Sequence, residues 1–271
     1  MPSARPPIVL IHGLWMTPRS WEGWAERFRA AGHEVHAPSW PGMEAEVEEL
    51  NRDPSPIAGI TIGAILDHHE AIVRGLDEPP ILMGHSFGGA FVLALLDRGV
   101  GLVGVGIDAA PPKGILGLPV STLRSAFPVL KNPANRTRAV PITAKEFRYA
   151  FGNTSSEEAS QAAYERYAVP AAGHVLFEGG LANVSPHSAL AVDFEKADRA
   201  PLLLLAGGED HVVPASTTRA IAKHYAKGPA TVEVREWPER SHFTVGEPGW
   251  EAVADHALAW ALEHASTGAT A

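Results

Sequence analysis

The sequence predicts an α/β chain: a mostly parallel, twisted sheet with helices on both faces, carrying a mainly helical insertion. Three observations lead there. Short aliphatic runs alternate with amphipathic stretches through Pro112, in the order strand, helix, strand, helix, strand, helix, strand. A glycine-bracketed turn, Gly84-His85-Ser86-Phe87-Gly88-Gly89, joins one of those strands to the helix after it. The rhythm stops at Lys113 and resumes only at Pro201. The expected organisation is a core made of residues 1–112 and 198–271, with residues 113–197 inserted between its halves.

Ile8 to Ile11 is a run of β-branched and aliphatic residues, suited to a strand buried on both faces, and it ends at His12-Gly13-Leu14-Trp15. Ser20 can cap a helix in which Trp21, Trp24, Ala25 and Phe28 recur at helical spacing, and Gly32 closes it. His33 to Pro38 is a second short strand. Glu44 to Pro56, acidic and proline-containing, reads as a surface loop. Ile62, Ile65, Leu66, Ile72, Val73 and Leu76 mark the next amphipathic helix. Pro79 to Met83 is the strand that enters the glycine turn, and the apolar run Ala90 to Leu96 is the helix that leaves it. Leu102 to Ile107 is a further strand, ending at Asp108. Beyond Lys113, Pro119, Pro128, Pro133, Pro141, Pro170 and Pro186 divide a segment of scattered aromatics without a comparable aliphatic run. Alternation returns with the strand Pro201 to Ala206, then Gly207-Gly208-Glu209-Asp210, the helix Ser216 to Ala226 and the strand Thr231 to Trp237. A loop bearing Ser241-His242-Phe243 leads to a last helix with Val253, Ala257, Leu258 and Trp260 on one side. Ser266 to Ala271 is a tail of small residues.

With 271 residues, 45% hydrophobic and 20% charged, the chain has a globular balance and room for one large domain with an insertion. Its net charge of −9 argues against a general nucleic-acid-binding or anionic-membrane surface. The lack of cysteine excludes disulfides, cysteine zinc sites and a cysteine nucleophile. Met1 to Pro7 holds no apolar stretch of signal-peptide length, and no transmembrane run follows, so a soluble cytoplasmic protein is the expectation. His68-His69-Glu70 and His33-Glu34-Val35-His36 lack the i, i+4 histidine pair and further ligand of a metal site, and no metal is expected. Gly99-Val100-Gly101-Leu102-Val103-Gly104 matches Gly-x-Gly-x-x-Gly, but it follows a helix and opens a strand, the reverse of what dinucleotide binding requires.

In open parallel sheets, sites gather at the carboxyl ends of the strands. His12-Gly13-Leu14, Ser86, Asp210 and His242 all follow such ends. A serine hydroxyl is a poor nucleophile at neutral pH and needs a base to take its proton. A histidine ionises near working pH and suits that task, and a carboxylate can hold its ring in the required tautomer. One helix and one strand separate Asp210 from His242, which puts both on the same edge of the sheet. Ser86, Asp210 and His242 are therefore the candidate catalytic set, with Asp108, after the next strand, as a competing acid. An oxyanion formed at Ser86 needs preorganised donors, for which the backbone N–H groups of Phe87 and Leu14 are the candidates. Trp15 and His85 are the expected substrate contacts, with packing the preferred role for His85, and His12 is expected to order the oxyanion loop.

These motifs resemble those of the α/β-hydrolase superfamily over nearly the whole chain. His12-Gly13 resembles its His-Gly oxyanion motif, Gly84 to Gly89 its nucleophile elbow, Gly208-Glu209-Asp210 its acid loop and Ser241-His242-Phe243 its histidine loop. The resemblance implies that residues 113–197 form a cap over the site. It departs at the N-terminus, where the chain opens directly on the oxyanion strand and the family's first hairpin is missing, giving six strands rather than eight. A serine, in place of the aspartate of the similar haloalkane dehalogenases and epoxide hydrolases, implies acyl transfer. The implied reaction is hydrolysis of a small-molecule carboxylic ester, lactone or thioester through acyl-Ser86, with no metal or organic cofactor and no nucleic-acid or membrane partner. Three other readings of the same scaffold stay open: perhydrolysis as in cofactor-free haloperoxidases, lyase chemistry of the hydroxynitrile type, and a ligand receptor without turnover. Within residues 113–148, seven basic residues stand against Glu146 alone, either as a solvated helix face or as a guide for an anionic group such as a carboxylate or a phosphopantetheine-type thioester.

Overall fold

The computed structural model describes residues 5–117 and 119–268, the side chains of 266–268 excepted. In chain order the elements are β1 (Ile8–Ile11), α1 (Glu22–Ala30), β2 (Val35–His36), α2 (Val47–Arg52), α3 (Ile62–Arg74), β3 (Ile81–His85), α4 (Phe87–Asp97), β4 (Val103–Ile107), α5 (Val120–Leu130), β5 (Ala139–Val140), α6 (Ala144–Ala150), α7 (Glu157–Tyr167), β6 (Ala171–Ala172), α8 (Gly173–Gly180), β7 (Leu202–Gly207), α9 (Ala215–Tyr225), β8 (Val232–Trp237) and α10 (Trp250–Gly268).

Six of the strands form one sheet in the order β2-β1-β3-β4-β7-β8, parallel at every pairing. β1, β3, β4 and β7 are buried along their whole length, as their aliphatic runs require when helices cover both faces. β8 is the edge, and its exposed Glu233 and Arg235 suit a strand whose outer side is unpaired. From β1 the chain steps outward to β2, then returns and builds away on the other side through β3. The strand order thus reverses between β1 and β3, and a crevice opens there at the carboxyl ends. α4 leaves the centre of that crevice. It is apolar all round and buried from Phe87 to Leu96, the pattern of a helix with protein on every side.

Residues 113–197 add no strand to the main sheet. They hold α5 to α8 and a two-residue antiparallel ladder between β5 and β6, which the sequence reading did not anticipate. Another difference is α2, in a stretch read as loop. Val47 and Leu50, three apart, are buried, while the acidic residues between them face water. A single pair of apolar anchors is too short a pattern to show helical periodicity. α10 runs through Gly268 into the stretch read as a tail, whose last residues, 269–271, lie outside the described chain. No described helix is long and apolar enough to cross a membrane.

Candidate active site

Ser86 sits between the end of β3 and the start of α4 with φ +56° and ψ −120°. A non-glycine residue holds that conformation only where its surroundings impose it. The Ser86 N–H donates to the Ile107 carbonyl at 2.9 Å, and its own carbonyl accepts from the Ala110 N–H at 2.9 Å, so β4 grips the turn from the side. Gly84 and Gly88 make the turn sterically possible: a Cβ on Gly84 would collide with the Gly88 carbonyl, and one on Gly88 with the Ile11 carbonyl. Trp15, Ser86 and Asp108 are the non-glycine residues with positive φ among the described residues. Each follows the end of one of three adjacent strands, β1, β3 and β4. Strain is therefore concentrated around the crevice.

His242 and Asp210 arrive from the far side. Asp210 follows β7, and its Oδ1 accepts the N–H groups of Val212 at 2.6 Å and Val213 at 2.8 Å. Its Oδ2 accepts from His242 Nδ1 at 2.6 Å. With Nδ1 carrying the proton, His242 Nε2 turns its lone pair toward Ser86 Oγ, 3.0 Å away. All three side chains are buried. Burial pushes the His242 imidazole down to about 3, so the ring is neutral and free to accept a proton. Burial also raises the Asp210 carboxyl, against the pull of the two backbone N–H groups toward the carboxylate.

Asp108, the competing acid, is wholly buried but turned elsewhere. Its Oδ1 accepts the Gly207 N–H at 2.7 Å, tying the end of β4 to that of β7. Burial, reinforced by the charge of Asp210, raises this carboxyl well above the usual range. His85, Asp108 and His242 bring one potential metal-ligand atom each within 4.8 Å of one another. Both His242 nitrogens are already engaged, however, so the cluster offers no open ligand set.

The N–H groups of Leu14 and Phe87 have no acceptor among the described residues, and both residues line the cavity beside Ser86. His12 holds the loop that carries Leu14: its Nδ1 donates to the Gly13 carbonyl at 2.9 Å, its Nε2 accepts from the Trp40 N–H at 3.3 Å, and its ring stacks on Trp40. Burial lowers His12 to about 3, which keeps it neutral in this role. Trp15 lies in the cavity wall. His85, expected as a substrate contact, does not. Its Nε2 donates to the His242 carbonyl at 2.7 Å and its ring packs against the His242 ring, so it supports the histidine loop from behind.

The cavity encloses about 280 Å³. Leu14, Trp15, Ser86, Phe87 and Val213 come to it from the core, while Thr122, Phe151, Leu176 and Phe177 come from residues 113–197. Ser86 Oγ thus opens into a space whose walls are almost entirely apolar. Two contributors were missed in the sequence. Phe151, whose ring centroid lies 5.1 Å from that of His242, was one aromatic among many. Glu247 accepts from the Ser241 N–H at 3.1 Å, Ser241 Oγ at 2.8 Å and Thr154 Oγ1 at 2.8 Å, bracing the loop of His242. The only trace of it in the sequence is a glutamate shortly after Ser241-His242-Phe243.

Comparison with known proteins agrees with this architecture. The profile of the Alpha/beta hydrolase family matches residues 8–256. No curated protein matches the chain. Similar solved folds include a pyrethroid hydrolase from Sphingobium faniae, with 20% identity and a TM-score of 0.63, covering 94% of this chain and 98% of that one. A monoacylglycerol lipase from Paleococcus ferrophilus has 19% identity and a TM-score of 0.64, with 96% of each chain covered. An extracellular alpha/beta-hydrolase from a Paenibacillus species has 22% identity and a TM-score of 0.65, covering 95% of this chain and 99% of that one. At such identities these likenesses speak for the fold. With the family profile spanning β1 to α10 and a parallel sheet that reverses its order beside a strained serine turn, the chain belongs to the alpha/beta hydrolase family.

Proposed function

We propose that this chain is a serine hydrolase that cleaves a carboxylic ester, lactone or thioester through an acyl-Ser86 intermediate. One observation carries the reading: an unbroken line of hydrogen bonds from Asp210 Oδ2 through His242 to Ser86 Oγ, with the hydroxyl facing an apolar cavity. As Ser86 Oγ attacks the carbonyl carbon, its proton passes to His242 Nε2. Asp210 stabilises the imidazolium that forms. The carbonyl oxygen, now an anion, takes hydrogen bonds from the N–H groups of Phe87 and Leu14. The tetrahedral intermediate collapses, His242 returns the proton to the leaving alcohol or thiol, and Ser86 keeps the acyl group. Water then attacks with its proton drawn to His242, the same donors hold the second oxyanion, and the acid leaves as Oγ regains its proton.

Residues 113–197 act as a cap, since they supply much of the cavity wall. The pyrethroid hydrolase and the monoacylglycerol lipase among the similar folds support ester chemistry. A cavity of about 280 Å³ with almost entirely apolar walls favours an apolar acyl or alcohol moiety of medium length. The test is turnover of a series of p-nitrophenyl esters of increasing acyl length. Multiple turnover is expected, with kcat/KM highest for medium chains, and Ser86→Ala should lower it by about 10⁴-fold or more. A Ser86→Ala protein that keeps its activity to within about tenfold would overturn the assignment.

A further inference from the structure

We propose that the exposed face of α5 and the loops beside it dock this protein onto an anionic lipid surface, with the mouth of the cavity turned toward the lipid. The docking stands on the surface alone; its consequence, delivery of apolar ester to Ser86, rests on the function proposed above.

Of the large apolar side chains left exposed among the described residues, all but Val234 lie between Leu116 and Val184. Leu116 and Val120 are each 81% exposed, Val184 76% and Phe127 61%. They belong to one patch. Asn183 accepts the Gly114 N–H at 2.7 Å through Oδ1 and donates Nδ2 to the Ile115 carbonyl at 2.8 Å, which holds the loop of Val184 against that of Leu116. On α5, Val120, Leu123 and Phe127 recur at i, i+3 and i+7, a single stripe. Leu123 and Leu181 are exposed and also line the cavity, so the patch forms its lip.

Two cations lie on the stripe and others follow it in the chain. Arg124 lies on the stripe of Val120 and Phe127, with its guanidinium 3.9 Å above the Tyr149 ring, and Lys131 continues the stripe just past the end of α5. Arg136 and Arg138 follow in the turn that leads to β5. Arg124, Lys131, Arg136, Arg138 and Lys145 have no acidic partner among the described residues, whereas Arg148 reaches Glu157 at 3.8 Å. An apolar ridge flanked by unpaired cations is what an amphipathic segment presents to an anionic interface. Each such cation close to the lipid tightens binding about fivefold. The net charge of −9, which argues against a general anionic-membrane surface, belongs to the rest of the chain, so against that expectation this one face is the one that can approach.

Charge also argues against other occupants. In a two-fold dimer the same patch meets itself and sets cations against cations. An acidic protein seated here would seal the cavity, whereas a lipid surface leaves the mouth against a source of apolar substrate.

The experiment is sedimentation of the Ser86→Ala protein with phosphatidylcholine vesicles and with vesicles holding about 30% phosphatidylglycerol, at about 0.05 M and 0.5 M salt. The anionic vesicles should bind at least about tenfold more tightly at low salt, and the difference should vanish at high salt. The V120S/F127S pair should weaken that binding at least about fivefold, and K131E/R136E at least about tenfold. With Ser86 restored, both pairs should keep unchanged turnover of a soluble short-chain aryl ester. Equal binding to the two vesicle types, no binding to either, or binding unaffected by V120S/F127S would overturn the proposal. So would a dimer in light scattering that V120S/F127S dissolves, or capture by soluble polyglutamate without capture by vesicles. If the aryl ester is not turned over while anionic vesicles still bind, the hydrolase reading fails and the docking surface stands.

Discussion

His242 Nδ1 donates to Asp210, while Asp108 directs its Oδ1 to the Gly207 N–H, so two buried acids at one sheet edge have separable tasks. Asp210→Asn should lower kcat/KM by about 10³ to 10⁴, because the amide favours the wrong imidazole tautomer. Asp108→Asn keeps an oxygen for Gly207 and should cost less than about tenfold. The reverse ranking, measured on folded proteins, would reassign the acid. That Ser86, Asp210 and His242 come together could be read from the sequence, because each follows the carboxyl end of a strand. For His85, adjacency to Ser86 suggested a shared pocket beside the packing role that the sequence also allowed. Successive residues along a strand point to opposite sides, and the last residue of β3 faces the histidine loop instead.

The strand–turn–helix unit of β3, Ser86 and α4 depends on close backbone approach. Gly88→Ala places a methyl against the Ile11 carbonyl, in the most buried part of the sheet, where nothing can give way. It should destabilise the fold by at least about 3 kcal/mol in urea unfolding, and a loss below about 1 kcal/mol would show that the turn can shift. The loop of His242 depends on one carboxylate. Glu247→Ala leaves the Ser241 N–H and the hydroxyls of Ser241 and Thr154 without their acceptor, at a cost of about 2–3 kcal/mol. It should lower kcat more than it raises KM, since it loosens the base rather than the cavity. β1, β3, β4 and β7 were read well from their aliphatic runs because burial on both faces leaves little choice of residue. The elements of residues 113–197 were not: they pack one side on the core and turn the other to water or the cavity, so β5, β6 and the wall residue Phe151 carry no pattern of their own.

Stability should respond to acid through the same buried histidines. Burial lowers His12 to about 3, His69 to about 4, His242 to about 3, and His85 well below its ordinary value. Below about pH 6.5 the unfolded chain takes up these protons and the folded chain does not, so stability is full above that value and falls as the pH drops toward 4. Asp108 and Asp210, raised by burial, oppose the trend by holding protons that the unfolded chain releases. Four histidines outnumber two acids, and the net loss should reach about 2–3 kcal/mol per pH unit at its steepest. Urea unfolding should therefore give lower stability at about pH 5 than at about pH 7, and equal or greater stability at the lower value would contradict the inference.

The sheet matters to all of this because it holds residues from the segments after β3, β7 and β8 within hydrogen-bond reach of one another. The most direct test of the use made of that convergence is intact and peptide mass spectrometry after reaction with an aryl alkylphosphonate. The account predicts one adduct per chain, on the peptide bearing Ser86, slowed strongly by His242→Ala and absent in Ser86→Ala. Ester turnover by a protein that carries no adduct on Ser86, or carries it elsewhere, would contradict it.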